Sequence, residues 1–121
     1  MTARDINLVQ VGGGWWQVRE RGVRVMFSTR SYPAAVSKAR RAIKVARILD
    51  EHLPLLGPCR LCCAGNLDQS HRLIDALAGR VRAGDDPAET GGDYGLGVEV
   101  VKACVWWTAQ DTKPLRRRAT A

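Results

Sequence analysis

Residues 6–27 read Ile6-Asn7-Leu8-Val9-Gln10-Val11-Gly12-Gly13-Gly14-Trp15-Trp16-Gln17-Val18-Arg19-Glu20-Arg21-Gly22-Val23-Arg24-Val25-Met26-Phe27. Apolar and polar positions alternate from Ile6 to Val11, with Ile6, Leu8 and Gln10 set against Asn7, Val9 and Val11. Strict alternation is the signature of a strand with one covered face. Gly12-Gly13-Gly14 breaks the run, since glycine tolerates positive φ. Trp15 to Arg21 reads as a second strand. Trp16, Val18 and Glu20 fall on one face; Trp15, Gln17, Arg19 and Arg21 fall on the other. Arg21-Gly22 is a short turn, and Val23 to Phe27 a third strand. Its alternation places Val23, Val25 and Phe27 inward, and Arg24 and Met26 outward.

Working outward, Ser31 is an expected N-cap and Pro33 suits a first helical turn. A helical period then runs to about Leu53, with Val36, Ala39, Ile43, Ala46 and Leu49 or Leu53 as its apolar stripe. Lys38, Arg41, Lys44 and Arg47 occupy much of the remaining surface. Pro54-Leu55-Leu56-Gly57-Pro58 marks a boundary. Residues 1–53 are therefore expected to form one β-β-β-α module, with residues 54–69 as a cysteine-containing linker.

Beyond the linker, Ser70 is an expected cap for a helix from His71 to Ala83, striped by Leu73, Ile74, Leu77, Ala78 and Val81 and stopped by Gly84. Asp86-Pro87-Ala88-Glu89 reads as a capping box opening a short helix that Gly91-Gly92 weakens. Asp93 to Gly97 is a turn. Val98 to Ala109 is the last helix, with Val98, Val101, Val105 and one of Trp106 or Trp107 inward. The adjacent pair Trp106-Trp107 is the candidate for an exposed apolar patch, and Glu99 and Lys102 are left for solvent. Residues 70–110 thus read as a three-helix, helix-turn-helix unit. The expected class is α+β. Residues 111–121, with Arg116-Arg117-Arg118, read as a disordered basic arm.

Two resemblances attach to these residues. The β-β-β-α unit with Trp15, Gln17, Arg19, Arg21 and Arg24 resembles the DNA-binding domain of plant ethylene-response factors and the arm-binding domains of phage-type integrases. That likeness implies a sheet laid in the major groove. The run from Ala83 to Glu89, followed by Asp93-Tyr94-Gly95-Leu96 and Glu99-x-Val101-x-Ala103, resembles small bacterial helix-turn-helix proteins of antitoxin-like type. It implies a tri-helical fold and a protein partner.

Charge agrees with the first likeness. Nineteen Lys/Arg face twelve Asp/Glu, a net of +7. Residues 1–52 hold ten basic and four acidic side chains, while residues 53–112 hold five and eight. The basic excess favours a polyanionic partner. Composition, at 45% apolar and 26% charged, excludes a wholly disordered chain. No apolar run reaches the ~20 residues of a membrane span, and no signal peptide is evident. A cytoplasmic location is expected.

The cysteines are Cys59, Cys62, Cys63 and Cys104. Cys59-x-x-Cys62 is half of a zinc spacing, and His71 with Cys63 or Cys104 would complete four ligands. The alternative is reduced thiols with no cofactor, Cys104 being a small buried apolar residue. No constellation supports an enzyme, and no Gly-Lys-Ser/Thr follows the glycines to make a phosphate loop. The expected function is a small, non-catalytic DNA-binding regulator. Its DNA-contacting residues would be Trp15, Gln17, Arg19, Arg21, Arg24, Lys38, Arg41, Lys44 and Lys102. Double-stranded DNA is the expected partner, with a protein docked through Trp106 and Trp107 as the alternative and a homodimer left open.

Overall fold

A computed structural model of the chain describes residues 4–20, 24–59 and 68–110. Three strands, β1 (Ile6–Val11), β2 (Trp15–Glu20) and β3 (Arg24–Thr29), form an antiparallel sheet in the order β1-β2-β3. Four helices follow: α1 (Tyr32–His52), α2 (His71–Arg82), α3 (Pro87–Tyr94) and α4 (Val98–Ala109). The class is α+β, as the residue pattern leads one to expect. Among the described residues no helix is long and apolar enough to cross a membrane.

The β1–β2 connection is a tight turn at Gly12–Gly14, where Gly13 and Gly14 stand at φ +75° and +78°. Side chains with a Cβ are strained there, which is why glycine stands at both positions. β1 pairs with β2 from Ile6 opposite Glu20 to Val11 opposite Trp15. β2 pairs with β3 less regularly. Val18 faces Phe27 and Arg19 faces Val25, so the register skips Met26. A bulge of this kind sends two successive residues toward one face. Met26 is fully buried and Phe27 packs against the same core.

That slip corrects the expected facing of β3. Arg24 and Met26 point inward, 5% and 1% exposed, while Val25 lies half-buried opposite Arg19. Period-2 reasoning carried across the hairpin assumes an unbroken register, and the bulge inverts it. Val23 and the Arg21-Gly22 turn lie outside the described residues.

Ser31 caps α1 through its hydroxyl, which accepts from the Ala34 N–H at 3.2 Å. The buried side of α1 is Ala35, Ala39, Ala42, Val45, Ala46 and Leu49. Ile43, expected inward, is exposed, and Val36 is only half-buried. The helix packs on the sheet and on α4 together. Its buried arc is therefore wide, and alanines let two neighbours approach closely.

α3 starts as expected, Asp86 accepting from the Glu89 N–H at 3.1 Å. It continues through the glycine pair to Tyr94 and turns at Gly95, φ +71°. Gly91 has a packing reason to be glycine. A Cβ there would lie 2.5 Å from the Leu96 carbonyl oxygen and 3.1 Å from Val101. On α4 the buried residues are Val100, Val101, Ala103, Cys104 and Trp107. Val98, expected inward, is exposed at the helix start.

Val18 and Met26 of the sheet, Leu49 of α1, Ile74 and Leu77 of α2, and Val100 and Trp107 of α4 belong to one continuous core. The basic N-terminal half and the acidic second half share that interior.

Candidate nucleic-acid interface

The helices pack against the inner face of the sheet, where Val18, Glu20, Arg24 and Met26 are all buried. The outer face carries Asn7, Val9, Trp15, Gln17, Arg19, Val25 and Ser28, which are exposed or half-exposed. Three expected contact residues thus stand in one row. Trp15 keeps 39% of its surface open. Arg19 donates to the Gln17 side-chain oxygen from Nε at 2.9 Å and from Nη2 at 2.7 Å. One carbonyl held by two guanidinium nitrogens fixes the plane of that arginine while leaving its other donors to a ligand.

Arg30 joins this row. Its guanidinium carbon lies 5.2 Å from the Trp15 ring centroid, within the range of a cation–π contact. Ending the third strand at Phe27 hid it; the strand runs on to Thr29, and Arg30 follows directly. The signal in the sequence was the polar, extended run Ser28-Thr29-Arg30.

The other expected contact residues that the structure describes do not join the row. Arg24, expected to point outward, is buried and paired with Glu20 at 2.8 Å. It donates to the Trp107 carbonyl at 3.1 Å, and its guanidinium carbon sits 4.8 Å from the Trp107 ring centroid. A buried carboxylate must hold its counter-ion, so this arginine serves the core. Lys38 is half-buried between α1 and α4; its Nζ donates to Gln110 at 2.8 Å and lies 4.7 Å from the Phe27 ring centroid. Arg41 is exposed with its guanidinium 5.7 Å from the Trp106 ring centroid. Lys44 is exposed beside Arg40 and Arg47, the two at i−4 and i+3, forming a basic ridge on α1. Because α1 lies on the inner side of the sheet, that ridge and the outer sheet face look in different directions. Lys102 is exposed on α4, three residues from Glu99. Arg21 lies outside the described residues.

The paired-tryptophan surface is also corrected. Trp107 is buried in the core, and Trp106 is half-buried under Lys38 and Arg41. Alternation around a helix puts adjacent residues about 100° apart, so one tryptophan is drawn in and the other is covered by cationic stems. The two do not make an apolar patch.

Arg4, which the residue pattern did not single out, is a clasp. Its guanidinium donates to Asp50 at 2.7 Å, to the Leu53 carbonyl at 2.6 Å and to the Ser70 hydroxyl at 2.7 Å. Ser70 precedes α2 but makes no side-chain cap there; its oxygen is engaged by Arg4 instead. Arg4, Arg24 and Lys38 all bind inside the protein, so a count of positive residues overstates the charge offered to a polyanion.

Cys104 lies in the core, and burial pushes its thiol up to about 12. Among the described residues no three His, Cys, Asp or Glu side chains converge as a metal set. Cys62 and Cys63 lie outside the described residues.

No protein-family model matches the chain, and no curated protein and no solved structure matches it either.

Proposed function

We propose that the chain is a small non-catalytic regulator that binds double-stranded DNA through the outer face of its sheet. The observation that carries this reading is the single row of Trp15, Gln17 and Arg19, with Arg30 over Trp15, on the face turned away from the helices. A three-stranded ribbon with this chemistry fits the width of a major groove. Arg19 and Gln17 supply donors and an acceptor for base edges, and Arg30 a cation for the backbone.

We read α3 and α4, joined through Gly95–Gly97, as a helix-turn-helix pair built onto the same core. Its exposed surface carries Glu99 against Lys102, which cancel, so it supports the sheet rather than gripping phosphates. The basic ridge of Arg40, Lys44 and Arg47 lies on another side and is a non-specific electrostatic aid.

The test is fluorescence anisotropy with random-sequence duplex at two salt concentrations. Wild-type protein should bind at low salt. Arg19→Ala and Arg30→Ala should each lower the salt slope by about one if they contact phosphate, or relax sequence preference by ~1–3 kcal/mol if they read a base. Lys102→Ala should change neither. Failure of the wild type to bind any duplex at low salt would end the proposal.

A further inference from the structure

The solvent side of α1 holds charge that the rest of the protein does not answer. From Ser31 to Leu49 the chain carries five cations and no Asp or Glu. Three of them, Arg40, Lys44 and Arg47, are exposed, and among the described residues none of their side chains makes a hydrogen bond or an ion pair. Spacings of four and three keep them on one side of the helix, in a row about 10 Å long at ~1.5 Å per residue. Of the two acids within a turn of Arg47, Asp50 is committed to Arg4 at 2.7 Å. The other, Glu51, ends the row.

The direction of the row follows from what the helix buries. Ala39, Ala42 and Ala46 lie on the opposite side of α1 and are buried. That side meets all three strands and α4, so the three cations point away from both. Arg41 stands off the row, over the Trp106 ring. The protein therefore has two basic surfaces back to back. One is the outer sheet face, with Arg19 and with Arg30 over Trp15. The other is the α1 row, on the far side of the sheet. Duplex DNA is stiff over ~150 base pairs, so a straight segment lying on one surface does not reach the other.

We propose that the protein bridges two DNA duplexes, the α1 row gripping the phosphate backbone of a second segment while the outer sheet face holds the first. The bridge rests on the duplex reading above and adds a second site to it. The chemistry of the row selects a duplex backbone. Single strands are held by aromatic platforms. The one aromatic residue of α1 is Tyr32, at its start, whose ring packs 4.7 Å from that of Trp16. A helix that lies on a lipid surface needs a free apolar face. The sheet and α4 occupy that of α1, and Ile43 is left beside the row at 40% exposure. Cations without a paired amide or carboxylate hold phosphates and read no bases, so the second segment is gripped whatever its sequence.

The experiment captures a fluorescent duplex on beads carrying an unrelated duplex, with full-length wild-type protein added between them. Binding to each duplex alone is read in parallel by anisotropy. Capture should rise and then fall as protein is increased, because excess protein occupies the two duplexes separately. It should fall with salt more steeply than single-duplex binding, by a slope of ~0.9 for each phosphate that the row neutralises. The triple variant Arg40→Gln, Lys44→Gln and Arg47→Gln should lose capture at least ~10-fold and single-duplex affinity no more than about threefold. Arg40→Lys with Arg47→Lys, which keeps the charge, should keep capture. Lys44→Glu alone should reduce it several-fold, so the row is tested even where the triple variant loses stability. Wild type that binds a duplex but captures no second one overturns the bridge and leaves the sheet-face reading standing. Wild type that binds neither duplex overturns both. Capture retained in full by the triple variant assigns bridging to a dimer and overturns the role of the row. So does a row-dependent hold on polyglutamate or on anionic vesicles that exceeds its hold on duplex.

Discussion

On the inner face of the sheet, Arg24 is paired with Glu20 at 2.8 Å beneath Trp107, and both side chains are buried. On the outer face of the same hairpin, Arg19 leans on Gln17 at 2.7 Å and stays half-exposed. Five positions apart in the chain, the two arginines are chemically identical and are assigned opposite work. The inner one is committed three times over, to a carboxylate, a carbonyl and an indole face. The outer one is held flat by a single amide oxygen. An arginine is available to a ligand according to what its neighbours leave over, and its charge alone says nothing of that.

The sharpest way to break this contrast is Arg24→Ala. It strands Glu20 as a buried, uncompensated carboxylate and should cost ~3–5 kcal/mol in urea unfolding. Replacing both partners, Glu20→Leu with Arg24→Met, should recover most of that loss. A single-variant cost as small as that of Arg19→Ala would show that the two faces do not differ as described.

Next in size is the bulge. Met26→Ala removes a fully buried side chain and should destabilise by ~2–5 kcal/mol. Val25→Ala, on the half-exposed side, should cost well under half as much. Equal costs would mean that the register does not skip at Met26.

Alkaline pH extends the same comparison to the interior thiol. The Cys104 pKa is raised by burial from 9.0 to about 12. A raised value means that its contribution to stability is whole below pH 9 and drains away as pH climbs from 9 toward 12. At pH 10 the loss should reach about 1.4 kcal/mol. Cys104→Ala should abolish this steepening, so parallel melting-temperature curves for the two proteins above pH 9 would contradict it.

Smallest in stability are the outer-face changes. Arg19→Ala and Trp15→Ala should each move unfolding by no more than ~0.5 kcal/mol, while weakening the duplex binding proposed above. Lys102→Ala should leave both unchanged. If Arg19→Ala instead unfolds the protein, the outer face is structural and the contrast with Arg24 collapses.

Much of this architecture was legible along the chain. The Gly12–Gly14 turn, the outward row of Trp15, Gln17 and Arg19, the Ser31 and Asp86 caps and the bounds of α4 follow from local chemistry. Positive φ needs glycine, hydroxyls and carboxylates cap helices, and alternation sorts one strand into two faces. The errors share a different cause. The facing of β3 depended on a register slip against β2. The exposure of Ile43 depended on α1 being gripped by two neighbours, and the burial of Trp107 on α4 reaching the sheet.

For the candidate site, what the sequence determined is the cast: a tryptophan, a glutamine and an arginine at alternate positions of one strand. Only the tertiary structure decided which of them are at liberty. Arg30 comes to stand over Trp15 because β3 extends past Phe27. Arg4, Arg24 and Lys38 are withdrawn because acceptors far along the chain, at Leu53, Trp107 and Gln110, claim them. Periodicity and propensity act between near neighbours in sequence. The partner of a charged or ligating group is set by contacts across tens of residues, and the cost of burying such a group unpaired makes those contacts obligatory.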